Sequence, residues 1–176
     1  MTGDDVLRST ERLAEIAALD LLSPEVDAIL QELVARASER LGLPTALVSI
    51  VLDEAQYFLA HHGLGGWQAE ARGTPVEWSF CAHAVRSGRP FVVEDATTHP
   101  LTRDNPQVTL EDLRCYAGVP LVSARGQVLG TLCVAGTEAH TFSDDDLAAL
   151  RALAAEAVSR LEARRKPAAG HQTVSS

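Results

Sequence analysis

The sequence predicts an α+β fold in a single domain, and three observations carry that prediction. Apolar residues recur with helical period early in the 176-residue chain. From Pro44 the pattern changes to short β-branched runs, and after Ser143 it becomes helical again. Taken in order, a first helix covers roughly residues 6 to 21, with Leu13 and Ile16 on its apolar side. In a second, Val26, Ile29, Leu30, Leu33, Val34, Ala37 and Leu41 form one stripe. Ser23-Pro24-Glu25 offers a capping hydroxyl, a proline for the first helical position and an acid for the first turn, and Gly42 suits the C-terminal cap.

The run from Ala46 to Leu52 reads as a strand, and Tyr57 to Ala60 as its partner after an Asp-Glu-Ala turn. A glycine-rich loop follows (Gly63, Gly65, Gly66, Gly73), and Val76 to Phe80 leads into a short helix, Cys81 to Arg86. Phe91 to Asp95 is a further strand. Ala96 to Leu113, polar and interrupted by Pro100 and Pro106, is a long loop of the length that compact domains usually reserve for function. Tyr116 to Val122 and Gln127 to Val134 form a hairpin about Ser123-Ala124-Arg125-Gly126. The last helix has a Ser143 cap, Asp144, Asp145 and Asp146 at its positive end, and Arg160, Arg164, Arg165 and Lys166 at the other. Its stripe is Leu147, Leu150, Leu153, Ala154, Ala157, Val158 and Leu161. The expected divisions are an N-terminal helix in 1–22, the domain proper in 23–165 and a disordered polar tail in 166–176.

With 46% hydrophobic and 22% charged residues, the chain can bury a core without metal or disulfide staples. Fifteen Lys+Arg against 24 Asp+Glu give a net charge of −9, which offers nucleic acid or an anionic membrane no electrostatic attraction. No apolar run is long enough to span a bilayer, and the N-terminal residues lack the basic and apolar regions of a signal peptide. Three cysteines, an odd number, fit reduced thiols in a cytoplasm better than a disulfide framework. A cytoplasmic domain with neither nucleic-acid nor membrane partners is expected.

Several separated motifs then agree in order and spacing. They are Ser79-Phe-Cys-Ala-His-Ala-Val85, Phe91-Val-Val-Glu-Asp-Ala96, Asn105-Pro-Gln-Val108, Leu113-Arg-Cys-Tyr-Ala-Gly-Val-Pro-Leu121 and Gly126-Gln-Val-Leu-Gly-Thr-Leu-Cys-Val134. Together they closely resemble the GAF domain family over roughly Pro24 to Leu161. The resemblance implies a central antiparallel sheet, helices packed on one face, and a small-molecule pocket on the other under the long loop. It also implies a sensory or regulatory role and terminal helices that pair into a homodimer. Family members are usually fused to kinases, cyclases or transcription factors; no effector follows here, so a stand-alone domain that binds a small molecule or senses redox state and signals to a separate partner is expected. Two departures stand out: Cys115 where this subgroup often has an aromatic, and Ala135-Gly136 where Ile-Asp is common.

Trp78, Phe80, Cys81, Asp95, Arg114, Cys115 and Tyr116 are the candidate ligand-binding residues. Cys81 opens a helix, where unsatisfied N–H groups favour a thiolate, although a buried packing role is the more common one for such a cysteine. Asp95 ends an apolar strand at the long loop; Arg114 could hold an anion or pair with Asp112 or Glu111. Cys133, in mid-strand, reads as core. An enzymatic alternative comes from resemblance to free methionine-(R)-sulfoxide reductases, in which Cys81 and Cys115 would be the catalytic thiols, one attacking the sulfoxide and the other resolving the product as a disulfide. The Cys-His pair of bilin-binding members is missing, because Cys81 precedes Ala82 and Cys115 precedes Tyr116. Phe142-Ser-Asp-Asp-Asp146 echoes half of a cyclic-nucleotide signature but is explained by the helix cap. Cys81 and His83 lie at i and i+2, His61 and His62 point oppositely along a strand, and no metal site is expected. Nothing specific supports haem at His83 or His99, and the cofactor is left open.

Overall fold

The computed structural model describes residues 6–165. The tail expected over 166–176 lies outside the described residues. In chain order the elements are α1 (Thr10–Ala18), α2 (Glu25–Leu41), β1 (Thr45–Val51), β2 (Ala55–His62), α3 (Gly66–Ala71), β3 (Gly73–Pro75), α4 (Cys81–Ser87), β4 (Phe91–Val93), α5 (Pro106–Thr109), β5 (Cys115–Val122), β6 (Val128–Gly136) and α6 (Asp144–Glu162). The strands form one six-stranded sheet, β3-β2-β1-β6-β5-β4, with every neighbouring pair antiparallel.

The long helices stop and start where their caps dictate. Gly42, at φ 68°, takes the left-handed conformation that ends α2. Ser143 and Asp146 form a reciprocal capping box at the start of α6. The Ser23 hydroxyl, expected to cap α2, does not; Pro24 occupies the cap position and only the Ser23 carbonyl engages Val26 N–H, at 3.1 Å. The glycine-rich segment contains more order than its glycines suggest. Trp67 to Ala71 wind into α3 and Gly73 to Pro75 pair with β2, elements too short for a hydrophobic period to reveal.

Strand alternation divides the buried residues into two layers. Ala46, Val48 and Ile50 of β1, Ala117, Val119 and Leu121 of β5, and Leu132 and Val134 of β6 face α2 and α6. Val51, Tyr116 and Cys133 face the other way, toward α4 and the loops. A bulge, where Leu121 pairs with Gly130 and Val122 with Val128, turns the extra residue Leu129 into the helix-side core.

Helix α1 is fastened to that bulge by a buried arginine. The Arg12 guanidinium, 2% exposed, donates to the carbonyls of Val6, Leu7, Val128 and Leu129 at 3.0–3.4 Å. Its burial pulls its pKa down to about 10. One turn on, the buried Glu15 carboxylate accepts from Ser123 and from both terminal nitrogens of Arg165. The start and end of the described chain are thereby joined beside the β5–β6 hairpin.

Candidate functional site

On the face of the sheet opposite the long helices, the loops do not close onto the strands. They leave a cavity of about 290 Å³ between β1, β2, β5 and β6 below and the segments around α3, α5 and Trp78 above. Phe58, Trp78, Phe80 and Tyr116 contribute aromatic rings to its walls, and Gln56, Gln68 and Gln107 supply amides. Among the described residues that line it, none is Lys, Arg or His, and Glu111 is the only carboxylate.

The cover is held by side-chain bonds between the two loop regions. The Gln68 and Gln107 amides exchange hydrogen bonds, at 3.0 and 3.2 Å, and so join α3 to α5. Trp67 Nε1 donates to Glu111 at 2.8 Å, and its ring meets Trp78 edge-on with centroids 5.5 Å apart. Asn105 caps α5 by accepting from Gln107 N–H at 2.8 Å, which fixes where Gln107 points.

Below, a polar chain is buried in the sheet itself. Ser49 and Ser79 donate to Gln56 Oε1 at 3.1 and 2.8 Å, and Gln56 Nε2 donates to Thr74 at 2.7 Å. Ser79 also accepts from Ala82 N–H, so it fastens the first turn of α4. That turn presents Cys81 to the floor of the cavity, where Thr131 Oγ1 donates to its Sγ at 3.0 Å and Tyr116 Oη at 3.1 Å. Cys133 Sγ lies 4.0 Å from Cys81 Sγ. The Cys133 thiol and the two hydroxyls stabilise the thiolate more than burial opposes it, bringing Cys81 down to about 7. Its neighbours shift the other way: the Cys81 sulfur and burial hold Cys133 protonated well above a usual thiol, and burial first, then the Cys81 charge, keeps Tyr116 a phenol.

A glycine makes this contact sterically open. Gly118 lies opposite Cys133 in the β5–β6 register and two residues from Tyr116 on the same face. A Cβ there would run into the Tyr116 ring and hydroxyl, so glycine lets the phenol lie across the strand toward the sulfur.

Of the seven residues singled out in the sequence, Trp78, Phe80, Cys81 and Tyr116 line the cavity, and Asp95, Arg114 and Cys115 do not. Asp95 closes a local turn, accepting from Thr97 N–H and Oγ1 at 3.0 and 2.6 Å, and those bonds lower its pKa. Arg114 braces the end of the long loop, donating to the carbonyls of Val108 and Leu113 at 2.9 and 3.0 Å. Cys115 precedes Tyr116 in β5 and therefore points through the sheet, into the helix-side core. There burial pushes its thiol up to about 11. The structure thus does not bring Cys81 and Cys115 together; the thiol beside Cys81 is Cys133, which the sequence presents as core. The glutamines were also missed, because their partners lie 7 to 39 residues away on other elements. The signal available for Cys133 was its two-residue offset from Thr131, which places both on one face of β6. His83 stacks on Phe91 with centroids 4.7 Å apart, and burial lowers its pKa. Among the described residues no group of His, Cys, Asp or Glu is placed to hold a metal ion, and no helix is long and apolar enough to cross a membrane.

An antiparallel sheet with long helices on one face and a loop-covered cavity on the other defines a class of α+β domains that enclose their site between strands and loops. Within that class, the GAF domain family matches residues 23–162, and the chain belongs to this family. It is 38% identical over 156 residues to the cyclic di-GMP phosphodiesterase PA2567 of Pseudomonas aeruginosa, a match covering 88% of this chain and 26% of that protein. The chain therefore spans about a quarter of the length of this curated relative. Among solved structures, the GAF domain of a Coxiella burnetii phosphoenolpyruvate-protein phosphotransferase superposes with a TM-score of 0.66 at 23% identity, over 92% of this chain and 93% of the other. The free methionine-R-sulfoxide reductase of Neisseria meningitidis superposes with a TM-score of 0.64, also at 23% identity, over 81% of each chain. At these identities the two structures speak for the fold alone.

Proposed function

We propose that this GAF domain is a sensory module whose cavity binds a small uncharged molecule and whose occupancy is read by a separate signalling protein. The carrying observation is the lining: four aromatic rings, three amides, one carboxylate and no basic side chain in about 290 Å³. That volume is at the low end for small-molecule sites, and a phosphorylated ligand would be buried there without a cation. Trp78, Phe80 and Tyr116 are the apolar contacts, Gln56, Gln68 and Gln107 the orienting ones. Because Gln68 and Gln107 hold the cover closed by bonding one another, a ligand amide or hydroxyl that replaces that bond would couple binding to movement of α3 and α5.

Thermal unfolding against a metabolite panel tests this reading. An uncharged molecule with hydrogen-bonding groups should raise the transition temperature, by the equivalent of about 2.7 kcal/mol at 100 times its Kd. Cyclic di-GMP should leave it unchanged. Stabilisation by cyclic di-GMP or other phosphorylated ligands alone would overturn the proposal.

Pairing of two copies through the terminal helices is part of the same reading. The outer face of α6 is exposed and small, with Ala148, Ala152, Ala155 and Ser159 spaced along it, a surface that another helix can approach closely. Sedimentation equilibrium of the unsubstituted protein and of an Ala152→Glu variant tests it. A dimer weakened by the substitution is expected, and a monomer in both contradicts it.

A further inference from the structure

The ligand reading leaves a reactive group unused at the floor of the cavity. Cys81 and Cys133 reach it from different elements, α4 and β6, with their sulfurs 4.0 Å apart, and both line the open space. The two thiols are not equivalent. Cys81 accepts hydrogen bonds from the Thr131 and Tyr116 hydroxyls, whereas the Cys81 sulfur and burial keep Cys133 protonated. One sulfur is thus set up as nucleophile and the other as a protonated neighbour within reach. A purely packed cysteine needs no such donors, since a thiol is a poor acceptor and apolar neighbours satisfy it.

We infer that Cys81 and Cys133 form a dithiol site that reduces small hydroperoxides, with Cys81 as attacking and Cys133 as resolving thiol. In the first step the Cys81 thiolate attacks the distal oxygen of ROOH. An S–O bond forms, the O–O bond breaks, and RO⁻ leaves and takes a proton from water. Cys81 is oxidised to the sulfenic acid while the peroxide is reduced to ROH. In the second step the Cys133 sulfur attacks the sulfenic sulfur; an S–S bond forms, and hydroxide departs with the Cys133 proton as water. Two thiols have become one disulfide and one hydroperoxide has become an alcohol and water. An external dithiol restores the pair by exchange. To bond, the sulfurs must close from 4.0 Å to about 2.0 Å. That movement falls on the first turn of α4, where Ser79 ties the backbone to Gln56 and hence to the cavity wall. Cys115 takes no part, since it faces the helix-side core. This inference does not depend on the identity or charge of any other ligand.

The test is intact mass and peptide mapping of the reduced, full-length protein titrated with hydrogen peroxide and with cumene hydroperoxide, then alkylated after denaturation. The expected product has lost about 2 Da, contains a cross-linked Cys81–Cys133 peptide, and carries an alkyl group on Cys115 alone. Dithiothreitol should return all three thiols. A Cys133→Ser protein should stop at the sulfenic acid and be trapped by dimedone at Cys81, whereas Cys115→Ser should still form the disulfide. Reaction with hydrogen peroxide but not the bulkier peroxide supports the site and limits R to what the cavity admits. Three free thiols after excess of both peroxides, or a disulfide that includes Cys115 or joins two chains, overturns the inference. The mapping on the unsubstituted protein decides between these results whether or not either variant folds.

Discussion

The two faces of the sheet are buried to the same degree and built from opposite chemistry. Strand β6 shows the contrast within four consecutive residues: Leu132 and Val134 point to the helices, Thr131 and Cys133 to the cavity, and each is at most 1% exposed. On the helix side the layer is aliphatic, and its charged members, Arg12 and Glu15, lie at its end on α1 with complete sets of partners. On the cavity side Ser49, Gln56, Thr74, Ser79 and Thr131 are buried in the sheet itself. Burying hydroxyls and amides is unfavourable unless each is bonded, and even then adds little net stability. All five are bonded: Ser49, Gln56, Thr74 and Ser79 to one another, and Thr131 to the Cys81 sulfur. One face therefore holds the fold together, and the other keeps polar groups fixed in position around a space.

If that division is right, neighbouring substitutions in β6 should have unequal effects on stability. Leu132→Ala, which opens a hole under α2 and α6, should cost about 2–5 kcal/mol. Thr131→Val keeps the shape and loses one hydroxyl, so it should cost no more than about 1 kcal/mol. Urea denaturation of the two variants measures both, and equal losses would break the comparison. The next effect belongs to the clamp at the edge of the helix side. Its bonds to Arg165, opposed by burial and aided by Ser123, lower the Glu15 pKa from its ordinary 4.5. The folded state thus binds the Glu15 proton less readily than the unfolded chain. Its stabilisation is complete above pH 4.5 and is lost as the pH falls through the lowered value. Arg165→Ala should cost about 1–3 kcal/mol at neutral pH and flatten the acid limb of a stability profile below pH 4.5. An unchanged limb would remove Glu15 from the account.

How much of this was legible in the sequence follows the same division. The helix side was readable because its signals are local and repetitive: the stripes of α2 and α6, the Gly42 and Ser143 caps, and the hairpin about Gly126. The cavity was only half readable. Phe80, Cys81 and Tyr116 sit in motifs whose order identifies the family, Trp78 directly precedes the first of them, and all four line the cavity. Cys115 and Cys133 exchanged places relative to expectation because strand parity, not chain proximity to the long loop, decides which face a side chain takes. Fixing parity needs the true strand start, and β5 begins one residue earlier than the apolar run suggests. The amide latch left no local trace, since Gln68 and Gln107 meet only when two loops fold over the same strands.

The smallest expected effect is also the sharpest, because it compares two thiols on opposite sides of the sheet. Cys81 is lowered to about 7, principally by the Cys133 thiol, with Thr131 and Tyr116 adding their donors; Cys115, buried among aliphatic side chains, is raised to about 11. Only the thiolate is nucleophilic. The alkylation rate of Cys81 by iodoacetamide should therefore rise as the pH passes about 7 and level off above it, while Cys115 stays slow throughout the neutral range. Removing one donor with Thr131→Val should move the Cys81 midpoint upward by about 0.5–1 pH unit, the equivalent of one modest hydrogen bond, and should not change the Cys115 profile. Site-resolved alkylation followed by mass spectrometry reads both residues in one sample. A Cys81 midpoint that stays where it was in Thr131→Val would mean that the hydroxyl is packed beside the sulfur without tuning it, and the polar face would then differ from the apolar one in composition but not in reactivity.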